Sequence, residues 1–160
     1  DIAVVSGPTT SPDNVARLSG FMGELALRGL DTSKVLTVPG DFSNQAGWDA
    51  AEVLLSQKRL PTAVFCANDE MAIGLLAHFQ ERGVSVPHEV SVLGYDDSPS
   101  AAFAAPRLTS VHIPSHEVTL AGLHWLLNRC YDLELPVNRQ FDISVTWRAS
   151  VAAPPARKRN

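Results

Sequence analysis

Cysteine is scarce in this sequence. It occurs twice among 160 residues, at Cys66 and Cys130, too few for a disulfide framework. Both thiols are therefore expected to be free, and the expected setting is reducing and cytoplasmic. Charge is also thin. Charged residues make up 19%, below the usual quarter or so, and the net charge is −4. Three of the basic residues, Arg157, Lys158 and Arg159, crowd into the last four positions. The body of the chain is thus more acidic than the total implies and repels phosphate, which argues against nucleic-acid binding by this segment alone. No apolar run approaches the roughly 20 residues that span a bilayer. The longest, 2–5 and 63–67, have the length of buried strands.

Reactive motifs are missing as well. There is no G-x-S-x-G elbow, no phosphate-binding G-x-x-x-x-G-K-[ST] loop and no G-x-G-x-x-G after a strand. His112 and His116 are separated by Pro114 and cannot share a helical face. His116 and His124 lack a third ligand, and the cysteines lack metal spacing. Asp96 and Asp97 are adjacent, so their carboxylates point apart. An enzyme, a cofactor and a bound metal are all unexpected. The chain also opens at Asp1 without a Met, a basic n-region or a cleavable apolar segment. It is read as a piece of a longer protein.

Apolar residues, at 45%, suffice for one sizeable core. Apolar runs alternate with helical patterns, the βαβ signature of a parallel sheet. Strand 2–6 ends at Gly7-Pro8. A helix over 14–28 comes next, capped by Asp13 and stopped by Gly29, with Val15, Leu18, Met22 and Leu25 inward. Strand 35–38 precedes a helix from Ser43 to about Lys58, with Ala46, Ala50, Val53 and Leu54 inward. Strand 63–66 leads into helix 69–82, capped by Asn68 and stopped by Gly83. Strand 90–94 is succeeded by a loop over 98–106 and an extended stretch over 108–113. Phe141, Ile143, Val145 and Trp147 alternate with polar residues, which predicts a half-buried strand. Residues 152–160, with Pro154-Pro155, are read as a flexible tail.

The predicted helix 115–131 is unusual. Leu120, Leu123, Leu126, Leu127 and Cys130 form one apolar stripe; Val118, Ala121 and Trp125 form another on the opposite side. A helix apolar on both sides requires cover on both. One stripe is expected on this domain's sheet, the other on a layer outside it. Trp125 lying bare on the surface is the alternative.

In an open parallel sheet, ligands bind beyond the carboxyl ends of the strands. Arg17, Phe42, Asn68-Asp69 and Asp96-Asp97 come after four separate strands and are expected at one rim. A guanidinium, an amide and a carboxylate suit hydroxyl groups, and a Phe offers a flat face to a sugar or a base. Simpler roles stay open: a helix cap for Asn68, a helix-start charge for Asp69, an apolar plug for Phe42, a surface pair with Asp13 for Arg17. Asp96 is favoured as functional, because a carboxylate behind a buried strand is costly without a partner.

The ordered set Arg17-Leu-Ser-Gly-Phe21, Gly40-Asp-Phe42, Pro61-Thr-Ala-Val-Phe65, Asn68-Asp-Glu-Met-Ala72, Val90-Ser-Val-Leu-Gly-Tyr-Asp-Asp97, Pro106-Arg-Leu-Thr109 and Arg148-Ala-Ser150 resembles the effector-binding core of the LacI/GalR family of transcriptional regulators. Any one stretch is weak; their order and spacing along nearly the whole chain are specific. The resemblance implies one lobe of a type I periplasmic-binding-protein-like fold, a parallel α/β sheet sandwiched by helices. Residues 1–110 would form the C-terminal lobe, 111–138 a crossover belonging to an absent N-terminal lobe, and 139–151 the returning strand. By resemblance, Arg17, Phe42, Asn68, Asp96 and, less firmly, Asp13 contact the effector. Ile73, Leu76, Ala77 and Ala104 resemble the family's dimer contacts. Stretch 61–66 is most similar to purine-responsive members, but these lack the Asn found at 68, which sugar-responsive members have. A sugar effector, a homodimer and operator DNA reached only through an absent headpiece are the expected partners, with no membrane. A periplasmic-type sugar-binding protein of an uptake system is the alternative.

Overall fold

The computed structural model describes residues 1–153. Strand β1 (Ile2–Ser6), helix α1 (Pro12–Leu27), β2 (Leu36–Pro39), α2 (Asn44–Leu55), β3 (Ala63–Cys66), α3 (Asp69–Glu81), β4 (Ser91–Asp96), β5 (Thr109–His112), α4 (Ser115–Tyr131) and β6 (Ser144–Thr146) occur in that order, with 3₁₀ turns at Thr32–Lys34 and Pro99–Ala102. The sheet runs β2-β1-β3-β4-β5-β6. Its first five strands are parallel, and β6 pairs antiparallel with β5. The expected parallel α/β architecture is present, with an antiparallel edge added.

Local signals explain most boundaries. The Ser43 hydroxyl accepts from the Ala46 N–H at 3.1 Å and starts α2; the Asn68 side-chain oxygen accepts from the Met71 N–H at 3.0 Å and starts α3. At α1 the cap differs from the expected one. Ser11 is the cap, with Pro12 in the first turn, and Asp13 lies inside the helix. Gly29 and Gly83 take positive φ angles of 75° and 73° beyond α1 and α3.

The main core lies on one face of the sheet, under α2 and α3. Ala3, Val5, Val64, Cys66 and Val92 meet Leu54, Met71, Leu75 and Phe79 there. Burying each large side chain is worth about 1.5–3 kcal/mol. The two helices touch backbone to backbone: a Cβ at Gly47 would strike the Met71 main chain, and one at Gly74 the Asn44 main chain. Phe65 points to the other face and stacks on Phe21 of α1 at 4.7 Å.

The structure departs from the sequence pattern in four further places. Val15 and Val53, expected inward, are exposed. Val15 borders a hollow lined by Leu18, Met22, Thr37 and Pro39, and Val53 one lined by Leu36, Val38, Ala46 and Ala50. Both hollows flank the edge strand β2, where no further strand completes the layer. The predicted strand 141–147 shrinks to the three residues of β6, with Ile143 and Trp147 largely exposed, because β5 alone pairs with it. Ala152, expected at the start of the tail, is pinned: its N–H donates to the Ser91 hydroxyl at 3.0 Å, and that hydroxyl donates to its carbonyl at 3.2 Å. The remainder of that tail, 154–160, lies outside the described residues.

The fourth departure concerns α4, whose bounds match the expectation. Neither apolar stripe rests on the sheet. Ala121 is the buried residue of this helix, while Leu120, Leu123, Trp125 and Leu126 are 42–51% exposed. The helix is held by the chain just after it. Asn128 exchanges two 2.9 Å hydrogen bonds with the Leu135 backbone, and His124 Nδ1 donates to the Pro136 carbonyl at 2.8 Å. Uncovered stripes of this kind mark interaction surfaces, so the isolated protein is expected to self-associate through α4. Sedimentation at tens of micromolar should show species larger than a monomer, and Leu123→Glu together with Trp125→Glu should shift the distribution toward monomer. A strict monomer before substitution would contradict this.

Candidate functional site

The carboxyl ends of β1, β2, β3 and β4 open onto one rim. The loop after β1 is fixed by Asn14, fully buried, whose oxygen accepts from the Gly7 N–H at 2.7 Å and whose amide donates to the Gly7 and Pro8 carbonyls. Phe42, beyond β2, has a φ of 72°, and its ring packs on Gly7, where any Cβ would collide with it. The Asn68 amide donates to the Phe42 carbonyl at 2.9 Å. Beyond β3, the Ala67 carbonyl accepts from Arg17 at 2.7 Å. The same guanidinium lies 4.0 Å over the Tyr95 ring and 3.6 Å from Asp96 Oδ1. A continuous set of contacts thus runs from Phe42 through Asn68, Ala67 and Arg17 to Asp96.

Asp96 has a φ of 114°, a region foreign to residues with a side chain, where a conformer costs on the order of 1–3 kcal/mol. Its side chain is 44% exposed. Partial burial raises its carboxyl to about 6, assisted by the like charges of Asp69 and Glu70 and opposed by Arg17. Asp97 also has positive φ, 54°, but turns away from the rim. It accepts from Arg148 at 2.6 Å, from Thr146 at 2.8 Å and from His112 Nδ1 at 3.0 Å, and its own N–H donates to the Ser110 hydroxyl at 3.0 Å. Burial works against its charge, yet these bonds outweigh it and hold the carboxyl below the ordinary value. Asp69 is 1% exposed. It accepts from the Ser98 N–H at 2.7 Å and the Ser110 hydroxyl at 2.5 Å, while burial raises its carboxyl.

Arg17 and Asp96 come together as expected, and Phe42 is joined to them through Asn68 and Ala67. Arg17 reaches Asp96 and not Asp13, which lies exposed in the first turn of α1. Asn68 is brought to the rim, but its oxygen caps α3 and its amide holds Phe42. It positions the aromatic ring and starts α3, and these two bonds leave it one amide N–H and one oxygen lone pair. On the expected dimer face, Leu76 is 2% exposed and already covered by this chain. Ile73 and Ala104 pack at the edge of the core, and Ala77 is exposed. Beside them runs a groove between α3 and the loops at 83–86 and 105–106, with Phe103 at 88% exposure nearby in the chain. Sequence reasoning missed Tyr95, Asn14, Phe103 and the bonds that Asp97 makes to His112, Thr146 and Arg148. Among the described residues no group of three or more His, Cys, Asp or Glu could hold a metal.

Chemically, the rim offers a guanidinium with donors beyond its Ala67 bond, a carboxylate raised to about 6 by burial and an aromatic ring. It can recognise a small ring bearing hydrogen-bonding groups; it holds no nucleophile beside a base.

The family of periplasmic binding protein-like domains matches residues 1–151. The HTH-type transcriptional repressor PurR of Salmonella newport (strain SL254) is 39% identical over 129 residues, 81% of this chain and 38% of that protein. A crystal structure of a LacI-family transcriptional regulator from Burkhoderia phymatum superposes with a TM-score of 0.90 at 51% identity, covering 95% of this chain and 55% of that one. The lac repressor dimer bound to operator and the anti-inducer ONPF superposes with a TM-score of 0.85 at 27% identity, covering 96% and 53%. The chain spans well under two thirds of the length of these relatives. They are regulators of transcription, not enzymes, in keeping with the absence of reactive motifs from the sequence.

The raised Asp96 carboxyl has a stability consequence. Its folded value lies above its unfolded one, so its contribution is fully present below about pH 4 and is lost as pH rises through about 6. At pH 7.5 the charged group is a liability. Asp96→Asn is expected to raise the melting temperature there by roughly 1–2 °C, a small effect because solvent screens the group. At pH 4 the substitution should give no gain. Calorimetry at both values checks this.

Proposed function

Because the chain belongs to the periplasmic-binding-protein-like family, within its LacI/GalR group of transcriptional regulators, we propose that it is the effector-sensing and dimerising part of such a regulator. Residues 1–110 form most of one lobe, 111–138 cross into a second lobe outside this chain, and 139–151 return. The observation that carries the reading is the Arg17–Asp96 pair, anchored on the Ala67 carbonyl and the Tyr95 ring beside Phe42 at the ends of the strands. A small ligand would be gripped there by one lobe and closed over by the other. Its differential affinity for two lobe arrangements would shift operator affinity through a headpiece elsewhere in the full protein. Dimerisation would use Ile73, Ala77 and Ala104, with Leu76 backing them from the core. Its site of action would be cytoplasmic; among the described residues no helix is long and apolar enough to cross a membrane.

The ligand is a hydrogen-bonding ring. The residue-level reason for a sugar is Asn68, whose amide and oxygen each also make one bond within the chain. The likeness of 61–66 to purine-responsive members and the 39% identity to PurR favour a purine base over a sugar. A periplasmic-type uptake protein shares the fold, but the relatives at 39% and 51% identity are regulators.

Thermal shift on the full-length protein with hypoxanthine, guanine, glucose, galactose, ribose and cellobiose separates the two ligand classes. A purine base is expected to raise the melting temperature. Arg17→Ala and Asp96→Ala should each weaken that ligand about 10- to 150-fold, from loss of roughly 1.5–3 kcal/mol of charge-assisted hydrogen bonding. Calorimetry showing unchanged affinity in both variants would remove these residues from the site.

A further inference from the structure

Asp97 is not needed for ligand contact, since its carboxylate faces away from the rim. Yet it gathers three side chains from the two strands that lead into and out of α4 and from the segment just after β6. His112 ends β5, Thr146 ends β6, and Arg148 lies two residues beyond β6. Arg148 is itself locked: its second terminal nitrogen donates to the Leu108 carbonyl at 2.8 Å, and its N–H to the Thr109 hydroxyl at 2.9 Å. The Ser110 hydroxyl that receives the Asp97 N–H donates in turn to buried Asp69. The backbone on both sides of the Asp96–Asp97 peptide is therefore fixed from β5 and β6. That peptide joins two residues with positive φ, neither of them glycine. The Asp96 side chain contributes little to holding that conformation, since it reaches only Arg17, at 3.6 Å.

We propose that Asp97 is a positioning residue. Its carboxylate clamps β5 and β6 to the end of β4, and this clamp aims Asp96 at the rim, so that any movement of the two strands is felt at Asp96. The inference rests on the reading of Asp96 as a ligand contact and extends it to a residue that touches no ligand.

The test needs no ligand. In the isotope-labelled protein, side-chain carboxyl titration by NMR reports Asp96, which titrates at about 6 in the unmodified chain, and amide hydrogen exchange reports the strands. Asp97→Asn should leave the circular dichroism spectrum and the exchange of β1 and β3 unchanged. It should accelerate exchange at least tenfold at 109–112 and 144–146, and move Asp96 toward the ordinary carboxylate value near 4. Because Asp97→Asn also removes a neighbouring charge, Thr146→Val, which removes one bond to the clamp and no charge, must move Asp96 in the same direction. Thr146→Val also serves if Asp97→Asn fails to fold. Asp96 titrating at its original value in Thr146→Val would overturn the proposal, even if the strands exchange faster, since Asp97 would then be a brace with no hold on the site. Failure of every purine and sugar to shift the melting of the full-length protein would instead sink the effector reading, an outcome distinct from this one.

Discussion

The carboxylate of Asp69, 1% exposed, joins three parts of the chain that sequence separates widely. It sits at the start of α3, takes the Ser98 N–H from the loop after β4, and takes the Ser110 hydroxyl from β5. A buried carboxylate is tolerable only when such bonds compensate its lost hydration. Its presence dictates Gly94 on β4, because a Cβ there would run into Asp69 and Leu108. It also fixes the shape of the rim: Ser110 serves both Asp69 and Asp97, and the charge of Asp69 helps to raise Asp96. Core packing between α2 and α3 stabilises the domain. The Asp69 bonds determine where the loop after β4 lies, and so where the site is.

The helices and the parallel strands are legible because their signals are local. Ser43 and Asn68 cap α2 and α3, and glycines end α1 and α3. The failures lie where burial depends on a distant neighbour. Val15 and Val53 fit the helical period as well as Leu25 and Leu54 do, yet they open beside β2, where the sheet stops. Alternation over 141–147 is a sound strand signal, but only three residues find a pairing partner. The two stripes of α4 are indeed too many for one sheet, and this sheet in fact covers neither.

The site is legible in its residue types and not in its wiring. Arg17, Phe42 and Asp96 can be placed from their positions after strands. Asn68 suits both a ligand group and a cap; only tertiary contacts reveal that its amide also donates to the Phe42 carbonyl, 26 residues earlier in the chain. Adjacency to Asp96 implies that Asp97 points away from it. That much is true of its geometry, but its partners at 112, 146 and 148 lie beyond any local pattern. The one available signal is the conjunction of two consecutive carboxylates after a strand with polar residues on the next two strands.

Under the proposed function, a rim of this kind holds only half a ligand. Arg17 and Asp96 would contact one edge of a small ring, and the Phe42 ring one further part of it, leaving its other side open. On the proposed reading this openness is functional. A lobe that completed the pocket alone would bind its ligand equally well in every arrangement of the full protein, and equal affinity for two states shifts neither. A ligand shared between two lobes binds the closed arrangement better than the open one, and that difference alone can be passed on to DNA affinity. The strands that would carry the relative motion are β5 and β6, since they flank α4. These are the strands that Asp97 ties to the residue next to it, Asp96. The half-built pocket and the tied crossover strands are then two requirements of one device: the first makes the ligand sensitive to lobe arrangement, and the second makes lobe arrangement sensitive to the ligand.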